Sequence, residues 1–247
     1  MVGAAIFLVV GLTQFSFAQK AGSASTVILA LDVSESMSRT DVEPSRLQAA
    51  KDAARVFLDE LPDTISVGLV VFSGQAVVLV PPTTEHTKVV DALVGLPRGE
   101  GTVIGDALDT SLDAVVEKWR VDGEAPTAIV LLSDGRDTGS STLPEVAAER
   151  AGNLGVQIYT VVLGQDLDPS SAAGANLELM ARIATDTGGE SYTATSASGL
   201  IDVYRTLQTE LSTELEITDF GTLFVGAAGV LAIAATAALL LAIRREG

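Results

Sequence analysis

Three oxygen-bearing side chains, Asp32, Ser34 and Ser36, stand at alternate positions directly after the apolar run Thr26-Val-Ile-Leu-Ala-Leu31. Carboxylate and hydroxyl oxygens are hard donors, suited to Mg²⁺, Mn²⁺ or Ca²⁺ rather than to zinc or copper. The run before them reads as a buried strand bounded by polar residues. In an open α/β sheet the ligand crevice lies beyond the carboxyl ends of the strands, so this loop would stand at its mouth. Taken alone, the triplet fits an ordinary turn equally well, because Asp and Ser side chains commonly hold turns through local hydrogen bonds.

Two further stretches supply oxygens of the same kind. Gly99-Glu-Gly101-Thr102-Val-Ile-Gly105 places the Thr102 hydroxyl at the end of a glycine loop, where an amphipathic helix begins. Ile129-Val-Leu-Leu132-Ser133-Asp134-Gly135 is a second apolar strand that ends on a carboxylate. The order Asp-x-Ser-x-Ser, a distant Thr, then Asp within Ser-Asp-Gly resembles the metal-ion-dependent adhesion site of von Willebrand factor type A domains. That resemblance implies direct contact of Ser34, Ser36 and Thr102 with a divalent ion, and water-mediated contact from Asp32 and Asp134. It leaves one coordination position for an Asp or Glu of a protein partner. Mg²⁺ is the ion it implies first, with Mn²⁺ and Ca²⁺ as alternatives. Glu35 stands where the family usually has a small residue, most often Gly, and so adds a carboxylate near the site.

The elements that must position these loops are legible as alternating strands and helices. Leu47, Ala50, Ala54, Phe57, Leu58 and Leu61 share one face of a helix that begins near Pro44 and ends at Pro62. Thr64–Phe72 and Ala76–Val80 read as a hairpin joined by Ser73-Gly-Gln75, with Pro81-Pro82 breaking the second strand. A short helix over 85–96 follows. The helix after Thr102 carries Ile104, Leu108, Leu112, Val115, Val116 and Trp119 on its apolar face, so Trp119 reads as packing. A strand over 127–132, a helix over 144–154 and a strand over 157–163 come next. After a Ser/Ala/Gly-rich loop, a helix near 177–186, a short strand over 190–193 and a final helix with Leu200, Tyr204, Leu207 and Leu211 inward complete the pattern. Such alternation predicts an α/β domain with a mainly parallel sheet covered on both faces. The resemblance covers nearly all of residues 26–214 and implies a doubly wound fold with one antiparallel edge strand.

The flanking segments have a different character. Val2–Leu12 is an apolar stretch followed by the small-x-small pattern Ser16-Phe-Ala18, so residues 1–18 read as a signal peptide or an amino-terminal anchor, and 19–25 form a polar lead-in. After a linker at 215–222, residues 223–243 carry no charge; at ~1.5 Å per residue they reach ~32 Å, about a bilayer's hydrocarbon thickness. Arg244-Arg245 then begins the tail at 244–247. By the positive-inside rule this tail is cytoplasmic and the 26–214 domain extracytoplasmic, on a single-pass membrane protein.

Lys plus Arg number 15 against 32 Asp plus Glu, a net charge of −17, which argues against a nucleic-acid partner. Cysteine is absent, which removes disulfides and thiolate chemistry. Nor does the sequence carry an enzyme's signature. The only histidine, His86, reads as an exposed residue at a helix start, no Gly-x-Ser-x-Gly elbow occurs, and Gly99-x-Gly101-x-x-x-Gly105 misses the dinucleotide spacing. A metal-dependent phosphatase would need a cation to neutralise phosphate, and Arg136 is the only obvious one beside the site. The expectation is therefore a non-enzymatic, metal-dependent protein-binding module displayed outside a membrane. The alternative is an envelope assembly or scaffold protein whose domain docks membrane neighbours with a structural or absent metal.

Overall fold

The computed structural model describes residues 25–134, 136–165, 172–209 and 211. Its strands are β1 (Thr26–Asp32), β2 (Ser66–Phe72), β3 (Ala76–Thr83), β4 (Thr127–Ser133), β5 (Gln157–Leu163) and β6 (Ser191–Ala194). The helices are α1 (Arg46–Glu60), α2 (His86–Ala92), α3 (Ile104–Asp122), α4 (Pro144–Leu154) and α5 (Ala172–Thr187), followed by α6 at 197–209. The strands form one sheet in the order β3-β2-β1-β4-β5-β6. Only β2 and β3 pair antiparallel; every other neighbouring pair is parallel.

This order explains why β1, β2 and β4 read as unbroken apolar runs. All seven residues of each are buried, as expected for strands covered on both faces. On one face Ile28, Ala30, Val70, Phe72, Ile129 and Leu131 pack with α3, α4 and α5. The alternate residues Val27, Leu29, Leu31, Leu69 and Val130 are buried on the opposite face. The apolar residues of α1 are likewise buried, and α1 meets α6 edge-to-face through Phe57 and Tyr204, ring centroids 5.5 Å apart. Leu200, Tyr204, Leu207 and Leu211 all point inward, as their spacing predicts.

Three sequence expectations need correction. β3 does not stop at Pro81-Pro82 but runs on to Thr83, with register shifts opposite Val67, Leu69 and Val70. An edge strand tolerates proline because the missing N–H can face outward, and the irregular register absorbs the rest. Val116 is 39% exposed instead of core, because its position on α3 turns away from the sheet toward the groove beside α4. Helix α5 begins at Ala172, inside the stretch expected as loop; alanine's high helix propensity explains the earlier start.

The chain runs from β1 to β2 and β3 on one side, then returns to place β4 on β1's other side. The ends of β1 and β4 therefore diverge at a topological switch point, where an open sheet leaves its crevice. Residues Ala24–Thr213 form one compact unit. The expected amino-terminal segment and the span at 223–243 lie outside the described residues. Among the described residues, no helix is long and apolar enough to cross a membrane.

Candidate metal centre

Asp32 is the last residue of β1 and fully buried. Its Oδ1 accepts the Ser34 backbone N–H at 2.8 Å and its Oδ2 accepts the Ser133 hydroxyl at 2.6 Å. Burial pushes the Asp32 carboxyl up to about 6, against the opposing pull of the Ser133 and Ser34 hydrogen bonds. A carboxylate so enclosed gains from a nearby cation.

After Asp32 the chain turns through a short 3-10 segment, Glu35–Ser38, pinned by the fully buried Met37. The turn brings the Ser34 and Ser36 hydroxyls to 2.9 Å of each other. Ser36 then donates to Asp134 Oδ1 at 2.7 Å, across from the end of β4. Four of the five sequence-predicted residues are thus joined by short hydrogen bonds: Asp32 to Ser34, Ser34 to Ser36, Ser36 to Asp134.

Thr102 reaches the same edge by a different route. Gly99 bridges Ser34 in parallel register, with its N–H on the Val33 carbonyl at 3.3 Å. Thr102 itself is buried and locked to the loop that follows Asp134: its N–H donates to Thr138 Oγ1 at 2.9 Å, and the Thr138 N–H donates to the Thr102 carbonyl at 2.8 Å. The start of α3 is capped from that same loop. Asp137 Oδ1 accepts the Ile104 N–H at 2.8 Å and Ser140 Oγ accepts the Gly105 N–H at 2.9 Å, while Ser140 also donates to Asp137. These side chains satisfy helix N–H groups that have no partner within the helix. In return, Asp106 accepts the N–H groups of Ser141 and Thr142 at 3.0 and 2.8 Å. Gly105 permits the approach: a Cβ there would overlap the Thr142 carbonyl oxygen and lie 2.8 Å from Pro144 N.

Glu35 is exposed. The cation at the site is Arg46 and not Arg136, which is exposed. Arg46 Nη1 donates to Asp134 Oδ2 at 2.5 Å, and Nη2 and Nε hold Asp41 at 2.5 and 2.8 Å. That guanidinium holds the Asp41 carboxyl down at about 2. Sequence reasoning missed Arg46, Ser133 and the Asp137–Ser140 caps. A signal for Arg46 existed, since it precedes Leu47 and lies at i−3, i−4 and i−7 from the buried Ala49, Ala50 and Ala53, within α1's apolar stripe. His86 sits elsewhere, its Nε2 2.8 Å from the Ile65 carbonyl oxygen.

The donor set suits a small hard cation: two carboxylates and three hydroxyl-bearing residues, with no sulfur or imidazole. Among the described residues no cluster of three or more His, Cys, Asp or Glu is placed to hold a metal. A site here depends on hydroxyl ligands beside its two carboxylates.

The switch-point fold and the order of these loops define a von Willebrand factor type A domain, and the family model of that description matches residues 27–136. The chain belongs to the UPF0353 family. Members from Mycobacterium tuberculosis and Mycobacterium marinum are each 38% identical to it over 235 residues, spanning 88% of this chain and 70% of theirs. Among solved structures, the conserved hypothetical protein BatB from Bacteroides thetaiotaomicron superposes with a TM-score of 0.62 at 25% identity, covering 76% of this chain and 98% of that one. A protein from Bacteroides fragilis described as an aerotolerance-related membrane protein shares the fold, with a TM-score of 0.61 at 23% identity over 75% of this chain and 99% of its own.

Proposed function

We propose that this chain is a membrane-anchored, non-enzymatic binding module that takes up a divalent ion, Mg²⁺ first, and completes its coordination with an Asp or Glu of a protein partner. The observation that carries this reading is the hydrogen-bonded series Asp32, Ser34, Ser36 and Asp134 at the switch point, with the Thr102 loop fastened alongside. The hydroxyls of Ser34, Ser36 and Thr102 would hold the ion, and Asp32 and Asp134 would supply negative charge through bound water. A bound divalent ion is the largest local charge in such a site, so one partner carboxylate would dominate selectivity. The uncharged stretch at 223–243 followed by Arg244-Arg245 supports an anchor that leaves the domain outside the membrane.

A second reading, an envelope scaffold working without metal, is favoured by one observation: Arg46 already supplies a positive charge to Asp134. Calorimetric titration of Mg²⁺ and Mn²⁺ into the full chain separates the two. Saturable binding at one site, lost in Asp32→Ala and Thr102→Ala, is the outcome for a metal-dependent module; no heat from the folded wild type is the outcome for a scaffold. Orientation has its own test. The natural chain lacks cysteine, so a single Ser141→Cys on the exposed loop should react with a membrane-impermeant maleimide on intact cells. Labelling only after lysis would contradict the proposed topology.

A further inference from the structure

Asp32 and Arg46 are buried, and each is joined to the proposed metal residues: Asp32 through Ser34 and Arg46 through Asp134. The Arg46 side chain is 5% exposed and the Asp134 side chain it meets is wholly buried. Both Asp134 oxygens are engaged, Oδ1 by Ser36 and Oδ2 by Arg46. The remaining face of the guanidinium is taken by Asp41, which also accepts the Gln165 N–H at 3.1 Å, while Gln165 Nε2 donates to the Asp41 carbonyl at 2.6 Å. Gly164, with φ of +148°, closes over it; a Cβ there would lie 2.8 Å from Nη2 and 2.9 Å from Cζ. The start of α1 and the ends of β4 and β5 therefore meet around one buried positive charge.

A carboxylate buried without a counter-ion is strongly unfavourable, and a planar guanidinium fork is well matched to relieving it. In a metal-binding loop the divalent ion would ordinarily supply that relief. We propose that Arg46 is a resident cation of this site: it positions Asp134 in the metal-free chain, and its charge weakens the hold on the incoming ion, so that firm binding depends on the partner's carboxylate. Asp41 moderates the effect by sharing the guanidinium. This inference rests on the metal reading above and assigns Arg46 as a positioning residue within it.

The test is Mn²⁺ titration of the full chain, followed by the paramagnetic resonance signal of free Mn²⁺, for wild type, Arg46→Gln and Asp41→Asn. Thermal unfolding in EDTA and in saturating Mn²⁺ accompanies it. Arg46→Gln should bind Mn²⁺ about tenfold more tightly, since a like charge near the ion has gone. It should also unfold at a lower temperature in EDTA and gain more from the metal than wild type does. Asp41→Asn should bind several-fold more weakly. Unchanged or weaker binding by Arg46→Gln, with wild type binding normally, overturns the inference and leaves the metal reading standing; absence of binding in wild type and Arg46→Gln alike overturns both. Should Arg46→Gln fail to fold in either condition, Asp41→Asn decides: weaker binding supports the resident cation, unchanged or tighter binding overturns it.

Discussion

The two halves of the candidate site are built on opposite plans. The half carrying Thr102 is fastened onto backbone groups: side chains of the loop at 136–142 and of the start of α3 accept each other's backbone N–H groups in both directions, the Thr138 N–H donates to the Thr102 carbonyl, and Gly105 lets the two segments touch. The half carrying Asp32, Ser34 and Ser36 is fastened through side chains, reaching Asp134 by one serine hydroxyl and, through Arg46, by one guanidinium. Several side chains anchored at once on fixed backbone N–H groups leave the Thr102 half one arrangement. Side-chain contacts can be exchanged for others of similar strength, which suits a loop that must accept an ion and then a partner.

The comparison can be broken most severely at Gly105. Gly105→Ala forces a methyl against backbone atoms that cannot rotate away, and should destabilise the domain by about 3 kcal/mol, the upper end for overpacking. Denaturant unfolding measures it; a loss below about 1 kcal/mol would mean the two segments are not locked. Asp137→Ala removes the cap of α3 and the Ser140 partner together and should lower stability by about 2 kcal/mol, as the larger cap deletions do. Divalent-ion affinity should fall in step, because Thr102 is held by the same loop.

Acid should act on the other half. In the metal-free chain burial raises Asp32 to about 6, so the folded state keeps a proton that the unfolded chain has released. That contribution favours folding below about pH 4 and is lost as pH rises through 6. A divalent ion needs the carboxylate, so its affinity should run the opposite way and fall about tenfold from pH 7 to pH 5. Titration across pH 5 to 7 checks the sign, and a flat profile would show that Asp32 does not contribute. The smallest effect is expected at Ser36. Ser36→Ala breaks one hydrogen bond to Asp134, worth about 1 kcal/mol in EDTA, yet should abolish most of the stabilisation that metal confers.

The same division explains what could be read from the sequence. β1, β4 and β5 were legible because strands covered on both faces must be continuously apolar, and helix α4 because Pro144 opens it and Gly155 closes it in a left-handed cap. The loop residues Asp32, Ser34, Ser36, Thr102 and Asp134 were legible because they leave those strands and one glycine loop in a fixed order. The lock around Thr102 was not, because Asp137, Thr138 and Ser140 look like any polar turn until α3 is seen to need caps from outside itself. Arg46 was hidden for the reverse reason. A charged residue at a helix start is ordinarily solvated, and only the convergence of Asp41 and Asp134 from separate loops makes its burial favourable.

On the proposed reading, a hard cation joins the two halves. Diffraction from crystals soaked in Mn²⁺, at a wavelength where manganese scatters anomalously, tests it directly. One peak is expected among the hydroxyl oxygens of Ser34, Ser36 and Thr102, at roughly the 2.0–2.1 Å typical of Mg²⁺ or slightly beyond. A peak anywhere else, or none while Arg46 keeps its place on Asp134, would contradict it.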